Sequence, residues 1–178
     1  MAQTAANVLV GYEGSVYVAP TGTAAPTDAE GALNAAFKEV GFLTEDGITV
    51  AHDDETTELK AWQRSTVVRK TTTSSDTTVN FAMAERNKTA VELYYKKALE
   101  TGDDALTEAA PPTQLVSVVI DVIDGDNVHR MYLPSCEVTE RGEISITSED
   151  VISYEVTITA YEDSSNVKVY HFWDAALT

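Results

Sequence analysis

Apolar and polar residues alternate along most of this chain, and a period of two specifies half-buried strands rather than helices. Val79, Phe81 and Met83 point one way while Thr78, Asn80 and Ala82 point the other. Tyr154, Val156, Ile158 and Ala160 alternate with Ser153, Glu155, Thr157 and Thr159, and Ile144 and Ile146 alternate with Glu143, Ser145 and Thr147. Two of these predicted strands therefore present faces of Ser, Thr and Glu. Leu115 to Asp124 is almost unbroken in Val and Ile, as in a strand covered on both faces. Asp124-Gly-Asp-Asn127 then predicts a tight turn into a partner strand over Val128 to Leu133. Shorter strands are predicted at Ser15 to Ala19, Lys38 to Thr44, Thr66 to Thr72 and Val167 to Phe172.

One segment departs from this period. Val91, Tyr94, Tyr95, Ala98 and Leu99 share one helical face and predict a single helix over residues 89–100. Thr89 and Glu92 have capping-box spacing, Asn87 is a second cap candidate, and Gly102 stands where a left-handed C-terminal cap would be. About three turns are marginal in isolation, so the tyrosine-rich face must lie on the sheet. The fold class is therefore all-β with one flanking α-helix, in one domain over residues 1–178. Residues 1–14 read as an N-terminal arm, Pro20 to Ala36 and Thr101 to Gln114 as surface loops, and 44–62 as a long polar loop ending on a lone Trp62.

Composition narrows the functions. Of 178 residues, 12 are Lys or Arg and 29 are Asp or Glu, a formal net charge of −17, while 43% hydrophobic residues suffice for a real core. Such a chain repels a phosphate backbone, which disfavours direct nucleic-acid binding. The single cysteine, Cys136, allows neither an internal disulfide nor a multi-cysteine zinc site. The N-terminus lacks the pattern of a secretory signal, and the most apolar run, Leu115 to Ile123, is interrupted by Ser117 and Asp121, so no membrane insertion is expected. Asn87-Lys-Thr89 fits a glycosylation sequon but reads more simply as a helix start.

No catalytic constellation emerges. His52, His129 and His171 lie in three separate segments without a nearby second ligand, and Cys136 has no neighbour in sequence that would activate it. Asp121, Asp124 and Asp126 invite a calcium reading, but the twelfth-position acid of an EF-hand is missing and a hairpin turn needs the same residues. Dinucleotide, P-loop and nucleophile-elbow motifs are absent. No enzyme, no metal and no cofactor are expected.

Gly41-Phe-Leu-Thr-Glu-Asp-Gly-Ile-Thr49, Leu59-Lys-Ala-Trp-Gln63, Val68-Arg69, Thr73-Ser-Ser-Asp76 and Glu85-Arg-Asn-Lys88 with Leu93-Tyr-Tyr95 form an ordered set, preceded by Gly14-Ser-Val-Tyr-Val-Ala-Pro-Thr-Gly22. This set resembles the major tail tube proteins of phages, most closely those of long, flexible, non-contractile tails infecting actinobacteria (siphoviruses). The likeness covers about half the chain; beyond Thr101 it is one of architecture, and the extra C-terminal immunoglobulin-like domain of some relatives is not expected. The resemblance implies a β-sandwich or barrel with one flanking helix, hexameric rings stacked into a tube, and no catalysis. Implied partners are further copies of the chain, the tape-measure protein, and tail terminator and distal tail proteins. Phage DNA would pass through without specific binding. The implied location is the virion tail, with the host cytoplasm before assembly.

On that reading the net charge makes a non-adhesive conduit for DNA. Candidate lumen-facing residues are Asp76, Thr78, Asn80, Glu143, Ser145, Thr147, Glu155, Thr157 and Thr159. Candidate ring-stacking residues are His52, Asp53, Asp54, Glu55, Lys60 and Trp62, with Trp62 either an anchor on a neighbour or packed in its own core. The N-terminal arm and Phe172-Trp173 are further candidates to reach a neighbour. Two alternatives stand beside this reading: a monomeric acidic β-sandwich binding carbohydrate or calcium, and another virion structural protein such as a capsid decoration protein.

Overall fold

The computed structural model describes residues 8–100, 102, 105–108, 110 and 112–174. The elements are β1 (Glu13–Pro20), β2 (Lys38–Glu39), β3 (Leu43–Lys60), β4 (Val67–Met83), helix α1 (Lys88–Tyr95), β5 (Val116–Asp124), β6 (Asn127–Arg141), β7 (Tyr154–Tyr161) and β8 (Tyr170–Trp173). They form one antiparallel sheet in the order β2-β1-β5-β6-β7-β4-β3, with β8 added on β6. The expected all-β architecture with one flanking helix is what the chain builds.

The sheet curls. Val16, Val118 and Ile120 from β1 and β5 pack in one cluster with Val79, Phe81 and Met83 of β4 and Val156 and Ile158 of β7. The curl brings β1 beside β3, so that a Cβ at Gly14 would stand 3.7 Å from Ile48 Cδ1. Val40 N–H donates to Val16 O, and Gly41, at φ 85°, then redirects the chain into β3. A side chain at Gly41 would be strained at that φ and would run into the Glu85 carboxylate and the Asn87 amide. Burial of each large core side chain contributes roughly 1.5–3 kcal/mol.

β5 is covered on both faces, as its unbroken apolar run predicts: Val118 and Ile120 enter the main core and Val119 a second cluster with Ala19, Phe37 and Tyr132. The predicted hairpin closes through Asp124 and Asn127 with Gly125 at φ 62°. On the second face, Arg130 and Asp121, cross-strand partners in β6 and β5, form a buried bidentate pair (Nε–Oδ1 2.7 Å, Nη2–Oδ2 2.8 Å). Arg130 Nη1 also donates to the carbonyls of Asp28 and Gly31, fastening the 20–36 loop to the sheet. That loop is therefore held down, with Ala29 buried.

Several elements differ from expectation. The polar loop predicted over 44–62 is strand as far as Lys60, because a strand exposed on both faces carries no alternation and draws its order from ladder bonds to β4. Predicted strand Thr66 to Thr72 is the start of that same β4, and Lys38 to Thr44 is split at Gly41. Residues 144–147 form no strand, since both edges of β7 are occupied by β6 and β4; Ile144 packs on the core while Ile146 is exposed.

The helix ends at Tyr95 rather than at residue 100. Lys96 turns left-handed (φ 53°) and reaches Glu137 Oε1 at 2.6 Å, leaving Ala98 and Leu99 outside the helix. Asn87, not Thr89, is the N-cap: its Oδ1 accepts from Ala90 N–H and its Nδ2 donates to Val40 O. As expected, the tyrosine face lies on the sheet, with Tyr94 edge-on to Tyr154 and its hydroxyl donating to Gly142 O.

Candidate functional site

The face of β4 and β7 turned away from the main core is polar, while the buried period runs Thr77, Val79, Phe81 and Met83 on β4 and Tyr154, Val156, Ile158 and Ala160 on β7. Thr78 stands opposite Thr159, Asn80 opposite Thr157 and Ala82 opposite Glu155. Asn80 Nδ2 donates to Glu155 Oε1 (3.0 Å) and to Thr157 Oγ1 (3.1 Å), and Thr139 and Thr159 share a hydroxyl hydrogen bond of 2.9 Å. β6 extends the face with Glu137 opposite Thr159 and Glu140 opposite Thr157, and β3 with Asp53 opposite Asp76. Six of the nine lumen candidates, Asp76, Thr78, Asn80, Glu155, Thr157 and Thr159, thus share one surface. Glu143 borders it, lining a cavity of about 180 Å³ with Asn80 and Glu155, whereas Ser145 and Thr147 sit on the exposed connection after β6. The face carries hydroxyls, amides and carboxylates, and two lysines that reach it, Lys168 at Asp76 (3.6 Å) and Lys96 at Glu137 (2.6 Å), are each paired with a carboxylate, which leaves the face acidic.

β3 and β4 continue beyond the rest of the sheet. Pairing of β4 with β7 stops at Thr77, while its pairing with β3 runs on to Lys60 and Val67. The result is a two-stranded arm of roughly 25 Å at about 3.3 Å per residue. Every residue of β3 from Ala51 to Lys60 is exposed, and bulges after Glu55 and after Leu59 twist the arm. Its tip turns through Arg64 and Ser65, both left-handed, closed by Ala61 N–H to Thr66 O. Trp62 is 98% exposed there, with Leu59, Val67 and Val68 exposed beside it. The reading of Trp62 as a residue packed in its own core is therefore incorrect.

The ring-stacking candidates all fall on this arm, spread along it rather than clustered. His52 is at the root, its Nδ1 3.2 Å from Thr77 Oγ1; Asp53, Asp54 and Glu55 follow, opposite Asp76, Ser75 and Ser74; Lys60 and Trp62 are at the tip. Charge separates along the arm, acidic at the root and basic at the end. Arg64, Arg69 and Lys70 join Lys60 there, with Glu58 bonding Lys70 at 2.9 Å. The sequence reading missed these three because Arg69 and Lys70 belong to the returning strand and meet Lys60 only once the hairpin pairs, while Arg64 lies in the turn between the two strands.

At the opposite end of β3 lies a groove of about 950 Å³ between the start of β1 and the start of β3. Tyr12, Phe42, Leu43 and Ile48 form its apolar surface, Glu13, Glu39, Glu45, Asp46 and Glu85 its acidic one, and no lysine or arginine lines it. Of the predicted N-terminal arm, residues 1–7 lie outside the described residues; Val8, Leu9, Val10 and Tyr12 are exposed, with Val10 N–H donating to Asp124 Oδ2.

The three histidines approach one another, contrary to their separation in sequence. His129 Nε2 and His171 Nδ1 are 3.1 Å apart across β6 and β8, and Trp173 stacks on His129 at 5.1 Å between ring centroids. Burial lowers the pKa of both imidazoles, assisted at His129 by His171 and at His171 by His52. Phe172 packs in the second core cluster, so the terminal aromatics are used within the chain. Cys136 Sγ donates to Val116 O, and burial pushes its thiol up to about 12, which leaves it unreactive. Both oxygens of Asp121 are committed to Arg130, which removes it from the calcium arrangement considered above, and Asp124 Oδ2 accepts from Val10 N–H. Among the described residues no group of three or more His, Cys, Asp or Glu is placed to hold a metal, and no helix is long and apolar enough to cross a membrane.

The sequence matches a family described as phage tail tube protein over residues 1–176. No curated protein matches it. The fold is similar to a chain of the sheath/tube terminator of the PVC extracellular contractile injection system in its extended state, with TM-score 0.52, 11% identity, and 94% of this chain and 99% of that one covered. It is equally similar to a chain of the six-fold symmetrised baseplate of the anti-feeding prophage, with TM-score 0.52, 11% identity and 97% of both chains covered.

Proposed function

Since the chain belongs to a family of phage tail tube proteins, and is thereby a structural component of the phage tail, we propose that it closes into hexameric rings that stack into the tail tube. The observation that carries this reading is the arm, a long two-stranded hairpin whose apolar tip has nothing to pack on in its own chain. Two unsupported strands are marginal in water, and an exposed apolar tip calls for a partner. The number six is supported by the symmetry of the anti-feeding prophage baseplate that shares the fold. Closing rings from curled sheets would also cover the free strand edges.

In the tube the face bearing Asp76, Thr78, Asn80, Glu155, Thr157 and Thr159, with Glu143 at its border, lines the lumen. Each ring multiplies the charge of −17, and an acidic, hydroxyl-rich wall lets DNA slide through towards the host without adsorbing. The tape-measure protein occupies the same channel during assembly, terminator and distal tail proteins meet the two ends, and subunits gather from the host cytoplasm into the virion tail. A second reading, a tube terminator, is favoured by the PVC terminator sharing the fold over nearly its whole length. A non-contractile tail comes from the sequence resemblance alone, since both solved structures described above belong to contractile systems.

Negative-stain electron microscopy of the purified protein, with sedimentation in parallel, tests the proposal. Long hollow tubes are expected; isolated rings that never lengthen would support the terminator, and a monomer at all concentrations, even with tail-tip extract as nucleus, would overturn both.

A further inference from the structure

The tip of the arm and the acidic groove lie at opposite ends of one strand, β3, separated by roughly 45 Å at about 3.3 Å per residue. A single chain cannot join them, but two copies in line can. The tip offers exposed Trp62 and Leu59 ringed by Lys60, Arg64 and Arg69. The groove offers Tyr12 and Phe42, both at least 80% exposed, ringed by acids with no cation among its lining residues. In a chain with 29 acids and only 12 bases, four of the bases are gathered within residues 60–70. In a chain whose net charge of −17 sets copy against copy, this pair of surfaces has complementary charges and matching apolar centres.

We infer that the arm tip of one copy docks in the Tyr12/Phe42 groove of the copy ahead, with Trp62 as the apolar anchor and Arg64 and Arg69 facing Glu45 and Asp46. The contact is heterologous: each copy gives a tip and receives one, so it propagates along β3 without closing. This rests on the tube reading and specifies its stacking interface. It also assigns the charge two separate tasks, repulsion of DNA at the β4/β7 face and selection of the correct neighbour at the groove.

Charge reversal tests it. Arg64→Glu/Arg69→Glu and Glu45→Lys/Asp46→Lys alter exposed side chains, so each variant is expected to keep the wild-type melting temperature. Each alone is expected to raise the critical concentration for tubes at least tenfold, and the quadruple variant, which restores opposite charges, to bring it back within about threefold of wild type. A mixture of the two double variants offers both complementary pairings, the basic tip in the acidic groove and the acidic tip in the basic groove, and is expected to form tubes of alternating variants at concentrations where neither double variant assembles alone. Wild-type tubes with a quadruple variant no better than either double variant would overturn the docking while leaving the tube intact. A wild type that never assembles, together with a mixture that sediments like its separate components, would overturn both.

Discussion

Replacing Trp62 by alanine separates folding from assembly more sharply than any other change. Its side chain is 98% exposed at the end of the arm, so the isolated subunit loses almost no buried surface with it. Surface substitutions of this kind shift stability by about 0.5 kcal/mol or less. In a stacked contact the same indole would bury about 150–250 Å², and at about 25 cal/mol per Å² this represents about 4–6 kcal/mol of transfer free energy. Ordering and desolvation costs reduce what reaches the affinity, and truncation of a central interface aromatic typically costs about 2–4 kcal/mol. At about 1.4 kcal/mol per decade, each tip contact weakens by roughly 30-fold to several hundredfold. Light scattering against protein concentration would show tubes failing to form where wild type forms them, while urea unfolding of the monomer stays superimposable. Tubes at the wild-type critical concentration would refute the anchor. A clear loss of monomer stability would refute the premise that Trp62 packs on nothing in its own chain.

Three further outcomes follow from the interior. Arg130→Met strands the buried Asp121 carboxylate and should cost about 3–5 kcal/mol in urea denaturation, with Arg130→Met/Asp121→Leu recovering most of it. Burial holds His129 and His171 below their usual 6.5, so the unfolded chain takes up more protons as pH falls; stability should be full above about pH 6.5 and decline below it. His171→Asn should flatten that decline in thermal melts between about pH 7 and 5, whereas the depressed Asp28 and Asp163, held low mainly by backbone N–H donors from Gly31 and Val167, act only below about 3.8. Cys136, buried and pushed up to about 12, should resist thiol reagents in the native protein and react fully in denaturant; native labelling at pH 8 would contradict its burial.

Legibility of the sequence followed burial. Strands with one buried face, β4 beyond Thr77 and β7, announced themselves by alternation, and β5, buried on both faces, by its continuous apolar run. The outer part of β3 is exposed on every side, so no period marks it and its order comes from β4 alone. The same ambiguity misled at Ile144 and Ile146, where alternation was present but both edges of the neighbouring β7 were already taken by β6 and β4. The helix was visible from its tyrosine face, but its end depended on Lys96 finding Glu137, 41 residues away.

Local pattern and composition alone therefore determined a β-rich fold with one helix, a strongly acidic chain and the polar residues of the β4 and β7 faces, because each of these is a property of neighbouring residues or of simple sums. Long-range pairing decided the rest. Hairpin closure gathers Lys60 with Arg64, Arg69 and Lys70 at a tip where Trp62 has no core to enter, and curling of the sheet gathers Tyr12, Phe42 and five acids into a groove from three segments. The His129–His171 contact arises in the same way, across β6 and β8 whose register no local pattern specifies, whereas the Arg130–Asp121 pairing follows from the register of the predicted hairpin and only its burial under the 20–36 loop is tertiary. Charge and aromaticity are legible one residue at a time; their arrangement into opposite, complementary ends of one strand exists only once that strand has its partners.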